Sequence, residues 1–282
     1  MIDLHTHTWY SDGTLSPRQL VEMAAEKGID TLAITDHDGI FGLREGAEAA
    51  AERGVRFICG VEFSAKLPLG DGEKQTAYMH ILGYGFDPED PALLARLAHI
   101  REQRKERNQK MLKALEDLGY PLTKEEIQVY PGQEYIGKPN FARALVLRGY
   151  AADTAEAFAS ERLMAAPSIK AIHREKIQAA EAVALIRGAG GFASLAHPFK
   201  VSWTGKWEED PASHPARIEE ILQQLIGLGL TGLECCYSSH TAAQERWLVE
   251  LAAKYQLIAT AGSDYHGPGM KKNIELGGIH GI

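Results

Sequence analysis

Cysteine is scarce in this chain: Cys59, Cys235 and Cys236 are the only three among 282 residues. Three thiols cannot build a disulfide framework, and the adjacent pair lies in an apolar run, which marks both as reduced core residues. Long hydrophobic runs are missing as well. No stretch approaches the ~20 apolar residues of a membrane span, and the first residues carry neither a basic segment nor a cleavage signal. The expectation is a cytoplasmic protein with no membrane partner and no evident obligate protein partner. Internal repeats and low-complexity linkers are absent, and no G-x-G-x-x-G follows the first strand to support a dinucleotide site. Positive charge is not in excess either. The net charge of −8 argues against a general nucleic-acid coat. The charge is uneven, however: residues 87–180 hold fifteen Lys/Arg against fourteen Asp/Glu, so the remainder carries −9. The run "REQRKERNQK" inside that segment reads as a solvated helix face.

What is present is an ordinary soluble composition, 45% hydrophobic and 24% charged, with enough apolar residues for a sizeable core. Short apolar runs alternate with helical patterns. "IDLH" is followed by a helix with Ser16 as N-cap, Pro17 at its first position and Gly28 past its end. "TLAIT", a helix over about 40–53, "VRFICGVEF" and "AYMHILGYGF" come next. From about 88 to 188 the pattern is helical with no convincing strand, and one long helix ends at Gly119. The first rhythm then returns with "GGFASLAHP", a helix around 214–228, "TGLECCY", a helix over 240–255 and "LIATAGSD". Seven mostly unalternating apolar strands with helices between them imply a parallel sheet covered outside. The expected fold is an α/β barrel of seven units (1–86 and 189–282) with a mainly helical insertion after strand four (87–188) that covers the site; an open doubly wound sheet is the alternative.

In parallel barrels chemistry sits where strands end. Strand one ends at His5 and His7, which face the same way because side chains alternate. Strand two runs into "TDHD" with His37, strand three ends at Glu62, strand four carries His80, strand five ends at His197, and strand seven ends at Asp264 and His266. Asp12 follows the first strand in "SDGT". A solitary strand-end histidine is more often a structural hydrogen-bonder than a ligand. Six of them together with three carboxylates are different, because clustered carboxylates would repel one another and be forced to protonate. Divalent cations resolve the conflict, and imidazole with carboxylate and no thiolate suits Zn, Fe or Mn. Nine donors are more than one ion can use; two or three ions, with Glu62 bridging, fit the set.

The ordered series "HTHT…SDGT…TDHD…GVEF…H…LAHP…GSDYH" resembles the PHP (polymerase and histidinol phosphatase) family, related to the amidohydrolases, and the insertion resembles that of its branch acting on small nucleotides and short RNA. The resemblance implies a distorted seven-unit barrel and a trinuclear centre. His5, His7, Glu62 and Asp264 would hold one metal, Glu62, His80 and His197 the second, and Asp12, His37 and His266 the third. The aspartate at 12, where several relatives have histidine, leans the third site toward Mn. A departure lies in "IGKPNFARAL": relatives carry a G-R-P-H-like motif, whereas here Lys138 stands for arginine and Asn140 for histidine. Lys138 keeps charge but loses the planar two-pronged grip of guanidinium; Arg143 is the candidate to supply it.

The implied chemistry is hydrolysis of phosphate monoesters of nucleotides, nucleoside 3′,5′-bisphosphates foremost, by in-line attack of a metal-bridging hydroxide. Asp264 is the candidate proton acceptor, His240 the candidate donor to the leaving group, Glu234 an orienting group for a ligand histidine, and Lys138, Asn140, Arg143 and Lys200 the candidate substrate contacts. A 5′-to-3′ exoribonuclease on short RNA is the leading alternative. A histidinol phosphatase, a C–N amidohydrolase and a non-hydrolytic metal- or nucleic-acid-binding module are the others.

Overall fold

The computed structural model describes residues 1–69, 75–130, 133, 135–204, 214–271 and 273–279. Seven strands form a nearly closed barrel in the order β1 (Ile2–Asp3), β2 (Thr31–Ile34), β3 (Arg56–Pro68), β4 (Thr76–Tyr84), β6 (Phe192–Leu195), β8 (Gly232–Tyr237) and β9 (Ile258–Gly262). Two short strands extend it: β5 (Ile177–Gln178) pairs with β3, and β7 (Ser202–Trp203) pairs with β4. The wall closes where the segment after β1 runs along the end of β9, through Leu4 N–H to Ala261 O at 2.9 Å, Asp264 N–H to His5 O at 2.8 Å and His7 N–H to Tyr265 O at 2.9 Å. Beneath this seam the buried Asp3 accepts from the Ser263 N–H (2.9 Å), the Ser263 hydroxyl (2.6 Å) and the Gly277 N–H (2.8 Å).

The helices α1 (Pro17–Glu26), α2 (Leu43–Arg53), α7 (Ala179–Gly188), α8 (His214–Gly227) and α9 (Ala242–Lys254) bury apolar stripes such as Leu20, Val21 and Ala24 of α1 in the main core cluster. Helix α1 starts as its sequence predicts: Ser16 and Gln19 form a reciprocal capping box, Pro17 follows, and Gly28 takes a left-handed φ of +72° past the end. Between β4 and β5 lie α3 (Pro91–Asp117), α4 (Lys138–Leu147), α5 (Thr154–Ala159) and α6 (Pro167–Lys170), which share a separate apolar cluster built on Met111, Leu115, Phe141, Leu145 and Ile169. Among the described residues no helix is long and apolar enough to cross a membrane.

The sheet is not parallel throughout, as the sequence pattern suggests. Strand β4 runs antiparallel to both β3 and β6. Only residues 69–75 separate β3 from β4, and a parallel return needs a crossover of about a dozen residues or more. Pairing with β4 also carries β3 on to Pro68, well beyond the expected "VRFICGVEF". The two-residue β5 falls in the stretch expected to hold no strand. The lengthened β3 and the antiparallel β4 both touch the site: Glu62, expected at a strand end, lies within β3, and His80 lies within the neighbouring antiparallel β4.

Gly262 permits the seam: a Cβ there would lie 2.2 Å from the His5 Cβ. Gly262→Ala is expected to cost about 1–3 kcal/mol of stability, the usual range for overpacking, read as a lower urea midpoint at unchanged slope; an unchanged midpoint would mean that β1 and β9 separate without cost.

Candidate metal centre

The turn after β1 sets His7 and Asp12. Buried Asp36, following β2, accepts from the Thr8 N–H at 2.8 Å, the Thr8 hydroxyl at 2.6 Å and the Ser11 hydroxyl at 2.5 Å. Gly13 lets this turn fold back, since a Cβ there would meet the His7 carbonyl oxygen at 2.4 Å. Two other site residues stand in left-handed backbone, His197 at φ +26° and Asp264 at φ +58°. Such conformations cost on the order of 1–3 kcal/mol each and persist only where surroundings enforce them. For His197 the enforcing contact is its N–H donating to Glu234 Oε2 at 2.6 Å. The other oxygen of Glu234, within β8, meets His5 Nδ1 at 2.9 Å. One buried carboxylate therefore orients two histidines.

The other eight predicted residues gather around Glu62. Its Oε1 lies 2.7 Å from His80 Nδ1 and 3.1 Å from His197 Nε2; its Oε2 lies 3.0 Å from His37 Nδ1, 3.2 Å from His7 Nε2 and 3.3 Å from His5 Nε2. Asp264 Oδ1 is 3.3 Å from His7 Nε2 and 3.7 Å from His5 Nε2. Asp12 approaches His266 Nε2 at 3.2 Å and His37 Nε2 at 3.6 Å. The donor atoms fall into four overlapping sets able to hold an ion: His7, Asp12, His37 and His266; His5, His7 and Asp264; His5, Glu62 and His197; and His37, Glu62 and His80. The grouping differs slightly from the one the family resemblance implies, in that His7 also joins the Asp12 set, and His197 and His80 fall into separate sets, with His5 and His37 respectively.

The residues fit divalent cations on their own chemistry. His5 Nε2, His7 Nε2, His37 Nδ1, Glu62 Oε2 and Asp12 Oδ1 are buried yet make no hydrogen bond, and orphaned polar atoms of this kind are expensive unless something fills the space between them. Burial opposes ionisation of Glu62, but His80, His37 and His5 hold its carboxyl far below the ordinary range, and His5 and His7 do the same for Asp264. Burial likewise opposes protonation of His5, yet Glu234, Glu62 and Asp264 raise it well above the usual imidazole value. Protons thus stand in for cations, and metal uptake must release them. His80 is the contrasting case: burial pushes it down to about 4 although the Glu62 carboxylate beside it acts the other way.

A cavity of about 470 Å³ opens onto this cluster, lined also by Lys176, Lys200 and Lys271. Lys200 is where the sequence pattern places it, 3.8 Å from Asp264 Oδ2 and 4.5 Å over the Tyr237 ring. Tyr237 donates to Asp264 Oδ2 at 2.7 Å and Lys271 Nζ does so at 2.6 Å. Lys138 lies in an adjoining basic pocket of about 390 Å³ with Arg107, Arg174 and Lys176. Asn140 and Arg143 are not brought there. Asn140 is buried as a helix cap, accepting from the Gly137 N–H at 3.0 Å and donating to Gln133 Oε1 at 3.2 Å. Arg143 donates to the Glu126 and Gln128 carbonyls at 3.1 and 2.6 Å. His240 lies behind the cavity wall, its Nδ1 3.2 Å from the Cys235 carbonyl and its ring against Tyr237 and Phe199.

Sequence reasoning missed Asp36, Asp38, Tyr237 and Lys271, and the run "REQRKERNQK", expected to be a solvated helix face, buries Arg104, Arg107 and Asn108. Asp38 is the least expected: fully buried, it accepts from Arg104 of α3 and from Arg174, both at 2.5 Å. Its place in "TDHD" was visible, but the partners 66 and 136 residues away were not.

A seven-stranded barrel carrying a buried histidine–carboxylate cluster defines a metal-dependent hydrolase of the amidohydrolase-like kind. The PHP domain family model matches residues 3–121. A 3′,5′-nucleoside bisphosphate phosphatase of Chromobacterium violaceum is 35% identical over 95% of this chain and 88% of its own length. A 5′-3′ exoribonuclease of Haemophilus influenzae is 31% identical over 97% of this chain and 94% of its own. Among solved structures, a metal-dependent phosphoesterase from Bifidobacterium adolescentis superposes with TM-score 0.77 at 31% identity, covering 98% of this chain and 91% of that one. The chain belongs to the PHP family.

Two variants probe the groups behind the centre. Glu234→Ala, which frees His5 and His197, is expected to weaken divalent-ion affinity about 10–100-fold, measured by competition with a fluorescent chelator; unaltered affinity would mean the histidines need no support. Asp38→Asn leaves Arg104 and Arg174 facing each other and is expected to cost about 3–5 kcal/mol at neutral pH. Although burial opposes it, the two guanidinium groups hold the Asp38 carboxyl below its usual range. The stabilisation is therefore complete above the unfolded-state value of about 3.9 and is lost as pH falls through the lower folded value, so the variant's deficit in urea unfolding shrinks only below about pH 4.

Proposed function

We propose that the chain is a phosphatase of nucleoside 3′,5′-bisphosphates, with His5, His7, Asp12, His37, Glu62, His80, His197, Asp264 and His266 holding two or three divalent ions. Mn suits the set best because Asp12 adds a hard oxygen, and Zn or Fe share the same donor preferences. The proposal divides the chain into a barrel (1–86 and 189–282) and a helical insertion (87–188) that covers the site.

The observation that carries this reading is that cations flank the cluster on two sides. Lys200 and Lys271 stand beside Asp264, and Arg107, Lys138, Arg174 and Lys176 stand beyond His80. Burial and then Arg174 press the Lys176 ammonium below its ordinary range; burial and then Arg107 do so for Lys138; burial and then Arg104 bring Arg107 to about 10. Cations crowded in this way favour an anion between them, as the scissile phosphate and a second phosphate of one substrate would provide.

Divalent ions in such a site acidify water and neutralise phosphoryl charge. The chain's own groups do the rest. Asp264, fixed through Oδ2 by Tyr237 and Lys271, presents Oδ1 toward His7 and the reacting centre as proton acceptor. Lys271 neutralises phosphoryl oxygens from the cavity wall. Burial lowers the Lys200 ammonium, which eases transfer of its Nζ proton to the leaving oxygen. His240, behind Tyr237, supports the wall instead of donating.

A second reading has a specific observation in its favour. Past Lys176 the surface continues into a groove of about 470 Å³ lined by Lys66, Tyr78, His173 and Arg174, which gives a longer chain somewhere to lie. Stepwise trimming of short RNA from the 5′ end uses the same centre on such a substrate.

The test is phosphate release from the Mn-loaded protein with nucleoside 3′,5′-bisphosphates, nucleoside monophosphates and sugar phosphates, alongside a 3′-labelled oligoribonucleotide. Bisphosphates are expected to be turned over at least ~10-fold faster than monophosphates, since a charge-assisted second phosphate contributes about 1.5–3 kcal/mol. Chelation should abolish release and Mn restore it. Equal rates from all small substrates would overturn the nucleotide claim, and a regular ladder from the oligomer with idle bisphosphates would replace it with the exonuclease.

A further inference from the structure

A second cavity, of about 260 Å³, lies on the other side of His37 and differs in kind from the first. Its walls are Tyr10, Phe41, Leu94, Leu97, Arg101 and Tyr135. Phe41 is 48% exposed and Leu94 39%, beside a strongly charged centre where an uncovered apolar surface is out of place. Tyr10 and Phe41 face each other at 6.2 Å between ring centroids, and the Arg101 guanidinium lies over Phe41 at 5.2 Å. Tyr135 is held between two flat groups: its ring stacks on His37 at 5.8 Å and 19°, and the Arg104 guanidinium covers its other side at 3.9 Å.

We infer that this cavity takes the base of the nucleotide whose phosphate occupies the metal cavity, holding it by stacking against Phe41, Tyr10 and the guanidinium planes. The inference rests on the nucleotide reading above. Continuity favours it: His37 lines both the metal cavity and this one, while Tyr135 and Arg104 line both this one and the basic pocket. A molecule with two phosphates and one flat apolar ring therefore meets three adjoining compartments of matching chemistry. Aromatic faces and arginine planes are the surfaces on which bases stack whatever their identity. The obvious polar reader, Asp38, is already occupied by Arg104 and Arg174. Base identity accordingly matters little, whereas the presence of a base matters.

The experiment uses the Mn-loaded protein with 2-aminopurine riboside 3′,5′-bisphosphate, whose fluorescence is quenched by stacking, and compares adenosine 3′,5′-bisphosphate with ribose 3,5-bisphosphate lacking a base. Wild type is expected to quench the fluorophore and to favour the nucleotide over the abasic compound by about tenfold in kcat/KM, the scale of one stacked base. Phe41→Ala should lose both the quenching and the preference, and Phe41→Trp should retain both, which separates stacking from a folding defect. Adenine, guanine, cytosine and uracil bisphosphates should differ by only a few-fold, because stacking tolerates every base. Bisphosphates hydrolysed without quenching, or a preference untouched by Phe41→Ala, would overturn the base site and leave the phosphatase standing. Quenching that depends on Phe41 with no phosphate released would keep the base site and remove the phosphatase.

Discussion

The carboxylate of Glu62, buried at the centre of five imidazoles, is the constraint around which this molecule is arranged. A charged group with no exposure survives only if opposite charge surrounds it. That charge must come from elements that the chain places far apart: the segment after β1, the loop after β2, the antiparallel β4 and the turn after β6. Holding all of them near one point requires a closed wall, and it explains why so many buried polar residues lie outside the cluster. Asp36 ties the first turn, Glu234 orients two histidines, and Asp3 secures the seam between β1 and β9. Each of these carboxylates is engaged by backbone N–H groups, hydroxyls or histidines of the chain itself.

The same logic governs how an acidic chain presents a basic mouth. The chain carries a net charge of −8, yet around the carboxylates of Asp12, Glu62 and Asp264 the cavities are lined by Arg107, Lys138, Arg174, Lys176, Lys200 and Lys271. Local field, not net charge, decides which ligand enters. Asp38 connects the two parts of the chain. By pairing with Arg104 of α3 and with Arg174 it fixes the insertion against the loop after β2, and it neutralises part of a basic group that would otherwise repel itself. Arg104 in turn covers Tyr135, which stacks on His37. A single buried ion-pair network therefore sets the distance between the proposed ligands and the pocket beside them.

The strand-end pattern was legible because period-two alternation and family-ordered motifs are local properties. His5 and His7 could be placed on one face, His37, His197, Asp264 and His266 at the ends of strands and His80 on strand four, without any knowledge of distance, whereas Glu62, expected at a strand end, lies within the longer β3. The substrate side was not legible in this way. Arg143 looked able to replace a missing guanidinium one turn beyond Lys138, but its hydrogen bonds to the Glu126 and Gln128 carbonyls turn it toward the insertion's own backbone. His240 looked free to donate a proton, and packing against Phe199 and Tyr237 places it behind the wall. Lys271 sat in a closing segment with no periodicity, yet it reaches Asp264.

By itself the sequence determined the identity of the polar residues, most of the strands that carry them, the helix cap Ser16 with Pro17 and Gly28, and the long insertion helix ending before Gly119. All of these follow from contacts a few residues apart. Only the tertiary structure decided the pairing of Asp38 with two distant arginines and which cations face a cavity. Those depend on where chain segments more than fifty residues apart meet in space, and a side chain's chemistry does not reveal which neighbour will use it.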